Sequence, residues 1–189
     1  MKILIAGDSF AADWSVVNGV DGWPNILSES HDVTNVAQAG CGQYKILKQL
    51  KNQLLREYDA IIISHTSPYR IHTAYHPVHH DDPLHANCDF IYSDVKAHSI
   101  NSMVEYFELF FDLDHAKDIH NLICAEIDRI SQGHRTIHIT HFAYDDLYSF
   151  KDMINFHDIH VKHPGNVNHY DQQGNMIVLD RINKRLGHV

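Results

Sequence analysis

The stretch of sequence that decides the fold is MKILIAGDS, residues 1–9. Its apolar run, residues 3–6, stops at Gly7-Asp8, as a short buried strand stops at a turn. Ser9 therefore lies on the loop at the carboxyl end of a first strand, the edge at which open parallel sheets bind their ligands. A serine there is either the N-cap of a following helix, a role that Asp8 could also fill, or a nucleophile. The second role requires a base within reach.

The rest of the chain alternates strand-like runs with segments of helical period. Apolar runs occupy residues 33–37, 60–64 and 136–140, and helical patterns occupy 43–56, 97–131 (with a break near 112–114) and 171–186. In the last of these, one face is predicted to carry Met176, Ile177, Leu179, Ile182 and Leu186. This alternation predicts a parallel sheet covered on both faces, with irregular segments at 66–95 and 142–168. We expect one domain, 1–189, because no linker or repeat divides the chain.

Composition limits the classes of function. The net charge is −9, without a run of Lys or Arg, which argues against nucleic acids and anionic membrane surfaces as partners. The three cysteines are widely spaced, so reduced thiols are expected rather than a disulfide framework or a zinc knuckle. No apolar run reaches about 18 residues, and none resembles a signal peptide, so we expect a cytoplasmic protein. The 18 histidines are unusual and predict a charge that changes steeply between about pH 5 and 7.

A second informative stretch, NVNHYDQQGN, residues 166–175, directly precedes the last predicted helix. It places His169 on the loop that enters this helix. In a parallel sheet that loop can lie at the same edge as the loop after the first strand, which would bring His169 to Ser9. A neutral imidazole is the side chain suited to take a serine proton near pH 7.

These two ends of the chain resemble the SGNH hydrolases, also called GDSL-type esterases and lipases. GDSF, residues 7–10, is similar to the first block of that family, with Ser9 as nucleophile. His169, followed by Gly174 and an apolar helix, is similar to the last block, with His169 as base. The resemblance implies an α/β fold, a flavodoxin-like three-layer α/β/α sandwich with a parallel sheet. It also implies hydrolysis of esters or thioesters through an acyl-serine, with no cofactor and no metal.

The resemblance extends to the oxyanion hole, with two departures. NVAQAG, residues 35–40, is similar to the second block, whose glycine donates a backbone N–H; this implies Gly40, with Gly42 as a second choice. In the third block, Ser67 stands where the family has an asparagine, and Thr66 is an alternative donor. A serine hydroxyl reaches less far, and the loss of one oxyanion donor costs roughly 100- to 1,000-fold in rate.

The second departure concerns the acid of the triad. The position three residues before His169 is Asn166, which could orient the imidazole but could not supply negative charge. Asp158 or Asp171 could substitute for it. Two alternatives to an esterase therefore stay open: an acyltransferase with the same serine, and a binding or regulatory module that keeps the fold.

The histidine-rich segment 65–85 is predicted to form a wall of the pocket. Asp8, Thr66 and Arg70 (or Tyr69) are candidates for contact with a polar or anionic part of a small ester substrate. The histidine spacing matches no metal motif, so no defined metal site is expected, although a metal-dependent protein remains a third alternative. A second copy of the chain is a candidate partner, as a homodimer through the helices predicted in 97–131.

Overall fold

A computed structural model describes residues 1–144 and 146–187, and it contains one parallel sheet of five strands in the order β2-β1-β3-β4-β5. The strands are β1 (Lys2–Gly7), β2 (Asp32–Asn35), β3 (Ala60–His65), β4 (Thr136–Thr140) and β5 (Ile154–Asn155). This is the flavodoxin-like, doubly wound order, in which ligands bind where the chain switches direction between β1 and β3. The register pairs Ile5 with Ile62 and Ile62 with Ile137, so these strands end at one common edge.

Eight helices surround the sheet in the described ranges. They are α1 (Ser15–Asn18), α2 (Trp23–Ser28), α3 (Gln43–Lys51), α4 (Tyr92–Ala97), α5 (Asn101–Leu109), α6 (Leu113–Ser131), α7 (His157–Lys162) and α8 (Gln172–Gly187). A further short strand, β6 (Pro164–Val167), lies outside the sheet between α7 and α8. Within these ranges, no helix combines the length and the apolar character that a membrane span requires.

Two apolar layers sandwich the sheet because successive strand side chains point to opposite faces. In β1, Ile3 and Ile5 pack with side chains of α2, α7 and α8, while Leu4 and Ala6 pack with side chains of α3 and α6. The chain is therefore a three-layer α/β/α sandwich, as predicted. The four strands expected from apolar runs are confirmed, although β2 is shorter than the predicted 33–37.

Several local predictions need correction. Residues 142–168 are not irregular throughout, because they contain β5, α7 and β6; the segment 66–95 likewise ends in α4. The predicted break near 112–114 is confirmed, since the Asp112 carboxylate accepts hydrogen bonds from the Asp114 and His115 N–H groups and caps α6. Met176 does not share the buried face of α8, because it is 48% exposed and Val178 packs in its place.

Candidate active site

Ser9 and His169 meet at the carboxyl edge of the sheet. The Nε2 atom of His169 lies 2.7 Å from Ser9 Oγ, a normal hydrogen-bond distance. Ser9 follows β1 directly, and His169 follows β6 at the entrance to α8. The structure thus brings together the serine and the histidine that the sequence singled out, although 160 positions separate them.

Asn168 fixes the turn that presents His169. Asn168 and His169 both have positive φ values, +51° and +62°, which turn the chain sharply before α8. The buried Asn168 Nδ2 donates to the carbonyl oxygens of Ala12, at 2.9 Å, and Ser9, at 3.3 Å. These bonds tie the loop that carries His169 to the loop that carries Ser9. The sequence reasoning missed Asn168, although asparagine is one of the few residues that tolerate this conformation.

An apolar setting keeps the His169 imidazole neutral. The Phe10 ring lies 4.4 Å from the His169 ring, and Trp14 is 5.7 Å away, held by a 2.8 Å hydrogen bond from its Nε1 to the Ser9 carbonyl oxygen. Burial is the main reason that the pKa of His169 is lowered to about 4, and the nearby His160 and Arg70 lower it further. At neutral pH the ring is uncharged, so its Nε2 can accept the Ser9 proton.

The predicted orienting residue does not contact His169. Asn166 lies in β6, where its side chain is exposed while Gly165 and Val167 on either side are half-buried. No hydrogen bond joins Asn166 to the imidazole in the part of the chain that is described. The reason is strand alternation, which turns residue 166 away from the site.

Neither alternative carboxylate takes its place. Asp158 is exposed and pairs with Arg181 at 3.5 Å. Asp171 Oδ1 accepts a hydrogen bond from the Gly174 N–H at 2.6 Å, at the start of α8. Its other oxygen, Oδ2, lies 3.3 Å from His163 Nδ1. Among the described residues, no carboxylate hydrogen bonds to the His169 ring, and the pair is a Ser–His dyad.

Gly40 lies at the same cavity as Ser9 in a conformation that favours glycine. Its φ is +73°, and a Cβ there would stand 2.5 Å from Cys88 Cβ. Its carbonyl oxygen accepts from Asp89 N and from an Arg70 guanidinium nitrogen, both at 2.9 Å. Within the described ranges, the N–H groups of Gly40 and Ser9 have no protein acceptor. The second choice, Gly42, differs because its N–H donates to Asp89 Oδ2 at 2.7 Å.

Ser67 is not part of this cavity. Its hydroxyl accepts from Tyr69 N at 3.3 Å and lies 3.4 Å from the Tyr144 hydroxyl, and it lines a separate depression beside α3 and α6. The structure therefore does not bring the Ser67 hydroxyl into the lining of the cavity that contains Ser9. Thr66 is buried, and its hydroxyl accepts from Arg70 Nε at 3.3 Å. The guanidinium of Arg70, rather than Ser67, borders the cavity that contains Ser9.

Asp8 connects the site to a buried polar chain. Its Oδ1 accepts from Phe10 N at 3.1 Å and from Ser64 Oγ at 3.0 Å. Ser64 Oγ in turn lies 3.1 Å from His141 Nε2, and the other nitrogen of His141 hydrogen bonds to the Tyr170 hydroxyl. Burial raises the pKa of Asp8 from 3.8 to about 6, against the opposing charge of Arg70.

The cavity that contains the dyad has a volume of about 340 Å³. Ser9, His169, Gly40 and Arg70 form one part of its lining, and His79, His85 and Asp94 belong to another. The segment rich in histidine thus contributes a wall, as the sequence predicted. A cavity of this size suits a small ligand.

Comparison with known proteins gives fold-level matches only. No protein-family model matches the chain, and no curated protein matches it. Among solved structures, one similar chain is a candidate lipolytic protein of the G-D-S-L family from Desulfitobacterium hafniense DCB-2, with 12% identity, a TM-score of 0.49, and coverage of 97% of this chain and 98% of that one. Another is a catalytic mutant of an acetylxylan esterase from Geobacillus stearothermophilus, with 12% identity, a TM-score of 0.43, and coverage of 100% and 94%. At this level of similarity they indicate nothing about the chemistry of this chain.

Proposed function

We propose that this protein is a serine esterase of the SGNH type that acts on a small polar ester through an acyl-serine intermediate. The observation that carries the proposal is the 2.7 Å contact between Ser9 Oγ and His169 Nε2 inside a cavity. At neutral pH the buried His169 ring is uncharged and its Nε2 can accept a proton, while the same burial makes the resulting imidazolium costly. The resemblance of residues 7–10 and 169–174 to the family blocks supports the proposal independently.

In the proposed reaction, Ser9 Oγ attacks the acyl carbonyl while its proton passes to His169 Nε2. The carbonyl oxygen becomes an oxyanion, which the N–H groups of Ser9 and Gly40 stabilise. His169 then gives the proton to the leaving alcohol as the ester C–O bond breaks. A water molecule, deprotonated by His169, attacks the acyl-serine and releases the acid, and the proton returns to Ser9.

Arg70 supplies the positive charge in the proposed site. Its side chain is bonded to Gly40 O and Thr66 Oγ1 and borders the cavity, so it holds the oxyanion loop in place and can also attract an anionic substrate group. The imidazolium that forms on His169 has no carboxylate partner among the residues that the structure describes. We therefore expect slower acylation than a complete triad gives, which also keeps the acyltransferase and the binding-module alternatives in view.

The test is the intact mass of the folded protein after exposure to a fluorophosphonate. We expect a single adduct on wild-type protein and none on Ser9→Ala, because the activated hydroxyl is absent. His169→Ala should also lose the adduct, since no base remains. The matched control is Ser67→Ala, which removes another buried serine hydroxyl outside the cavity and should keep the adduct.

Absence of an adduct on folded wild-type protein would refute the proposed nucleophile and leave the binding module. An adduct would justify a screen of esters and thioesters, with and without an added alcohol acceptor. Turnover that depends on the acceptor would favour the acyltransferase.

A further inference from the structure

Three histidines surround the carboxylate of Asp94, on another part of the wall of the cavity that contains Ser9. His79 Nε2 lies 2.9 Å from Asp94 Oδ1, and His98 Nδ1 lies 3.3 Å from the same oxygen. His76 Nε2 lies 3.2 Å from the other oxygen, Oδ2. Asp94 belongs to α4, and His98 is the residue that ends this helix. His76 and His79 come from the long loop after β3, so the cluster joins two separate segments.

The spacing of these atoms suits a small cation with imidazole and carboxylate ligands. The nitrogen and oxygen ligands of His79, Asp94 and His98 all lie within 4.8 Å of one another. Bonds of about 2.0–2.1 Å to a tetrahedral Zn²⁺ place its ligand atoms about 3.3–3.4 Å apart. The observed contacts of 2.9 and 3.3 Å are close to that separation.

The Asp94 carboxylate also faces a buried histidine, His76, in a contact that is not well aligned. The His76 side chain is 0% exposed, and within the described ranges neither its Nε2 nor Asp94 Oδ2 forms a hydrogen bond of good geometry. Buried polar atoms of this kind are uncommon and costly. His76 Nδ1 faces the N–H groups of Val78 and His79, at 3.4 and 3.3 Å, from which it can only accept. The ring proton is therefore on Nε2 and points toward Asp94, so His76 positions the carboxylate and is not itself a ligand.

We propose that His79, Asp94 and His98 bind a divalent transition-metal ion, Zn²⁺ in the first place, with His76 holding the Asp94 carboxylate. On binding, each ligating imidazole keeps one proton, which moves to its other nitrogen. Three protein ligands leave the fourth tetrahedral position for an oxygen ligand. His79 and Asp94 line the cavity that contains Ser9, so that position is open to water or to an oxygen of a molecule in the cavity. The ion would also fasten the loop after β3 to α4.

The experiment uses the full chain without a histidine tag, stripped with a chelator and then titrated with Zn²⁺ alone against a chromophoric chelator. We expect one ion per chain. His98→Ala should weaken Zn²⁺ binding by about 100-fold or more. Removing a residue that only hydrogen bonds to a metal ligand costs roughly 10–100-fold in affinity, and His98 is proposed as a ligand itself. His98 is exposed at a helix end, so this variant should fold, which circular dichroism verifies. His76→Ala should weaken binding by roughly 10–100-fold.

The matched control is His80→Ala, which removes a histidine of the same loop that pairs with the exposed Asp81 and should not change the affinity for Zn²⁺. The proposal would be overturned if His98→Ala bound Zn²⁺ as tightly as wild type. It would also be overturned if His80→Ala lost as much affinity for Zn²⁺ as His98→Ala. A Co²⁺ complex with a thiolate charge-transfer band would overturn the ligand set in favour of Cys88, whose sulfur lies near His76 and His79. The metal site is independent of the esterase proposal, because its readout does not involve Ser9.

Discussion

At the scale of single residues, burial opposes the ionisation of the Asp8 carboxyl group. Its carboxylate is buried next to Ser9, one oxygen has two donors, and the other has none among the described residues. The pKa of about 6 means that ionisation of Asp8 is less favourable in the folded chain than in the unfolded chain. Because the folded pKa lies above the unfolded value of 3.8, the stability attributable to Asp8 is complete below pH 3.8 and is lost as the pH rises through 6.

We therefore predict that Asp8→Asn gains stability relative to wild type as the pH rises. The amide oxygen keeps the acceptor for Phe10 N and Ser64 Oγ, while the buried charge is removed. The free energy of unfolding of the variant, measured with urea against wild type, should improve by about 2 kcal/mol between pH 4 and pH 7.5. Comparing the two pH values cancels the constant cost of the new amide. A difference that does not change with pH would show that Asp8 is not strained.

At the scale of elements, sequence patterns located the sheet well and the direction of side chains poorly. The runs that became β1, β3 and β4 are apolar enough to identify, whereas β5 has only two residues and leaves no periodic signal. Ser9, His169 and Gly40 follow from short motifs in the loops after strands. Asn166 and Ser67 were placed by counting along a pattern, which cannot reveal that β6 turns residue 166 outward or that Ser67 does not line the cavity of Ser9. Arg70 was named from its position after β3, but its bond to Gly40, like the bonds of Asn168, joins distant segments, which no local pattern contains.

The turn after β2 depends on Gly40, and its replacement tests that dependence. Gly40→Ala should destabilise the fold by about 2–4 kcal/mol, because the side chain adds a clash with Cys88 to an unfavourable φ. Labelling of Ser9 should also decline as the loop shifts. Gly133→Ala is the matched control: its φ is +83°, but nothing lies within 4 Å of the added Cβ. It should cost only about 1 kcal/mol. Equal losses in the two variants would show that the contact with Cys88 is not restrictive. Urea unfolding provides both values.

At the scale of the whole molecule, histidines are built into the interior. Burial is the main cause that lowers the pKa values of His65, His120, His138, His141 and His169, to about 4 for His120, His138 and His169. Their folded pKa values lie below the unfolded value of 6.5, so the stability they contribute is present above pH 6.5 and is lost as the pH falls toward 4. This dependence of stability on pH is opposite in sign to that of Asp8. Because it involves more groups, it should determine how the stability of the whole molecule changes with pH.

We predict that the protein unfolds cooperatively in mild acid, and that His120→Leu weakens this response. Each proton taken up on unfolding contributes a slope of about 1.4 kcal/mol per pH unit, and removal of His120 should reduce the slope between pH 6 and 4.5 by up to that amount. His115→Leu removes an exposed histidine from the same helix and should leave the slope unchanged. Urea titrations at several pH values measure the slopes. Similar slopes for wild type and His120→Leu would contradict the assignment.

The separation of Ser9 from His169 by 160 positions also has a consequence for biosynthesis. During synthesis Ser9 leaves the ribosome well before His169, because 160 positions separate the two residues. Any truncated product that stops before residue 169 carries Ser9 without His169. Under the proposed mechanism such a chain lacks the group that activates the serine, so covalent labelling of Ser9 would report that the two distant segments have docked.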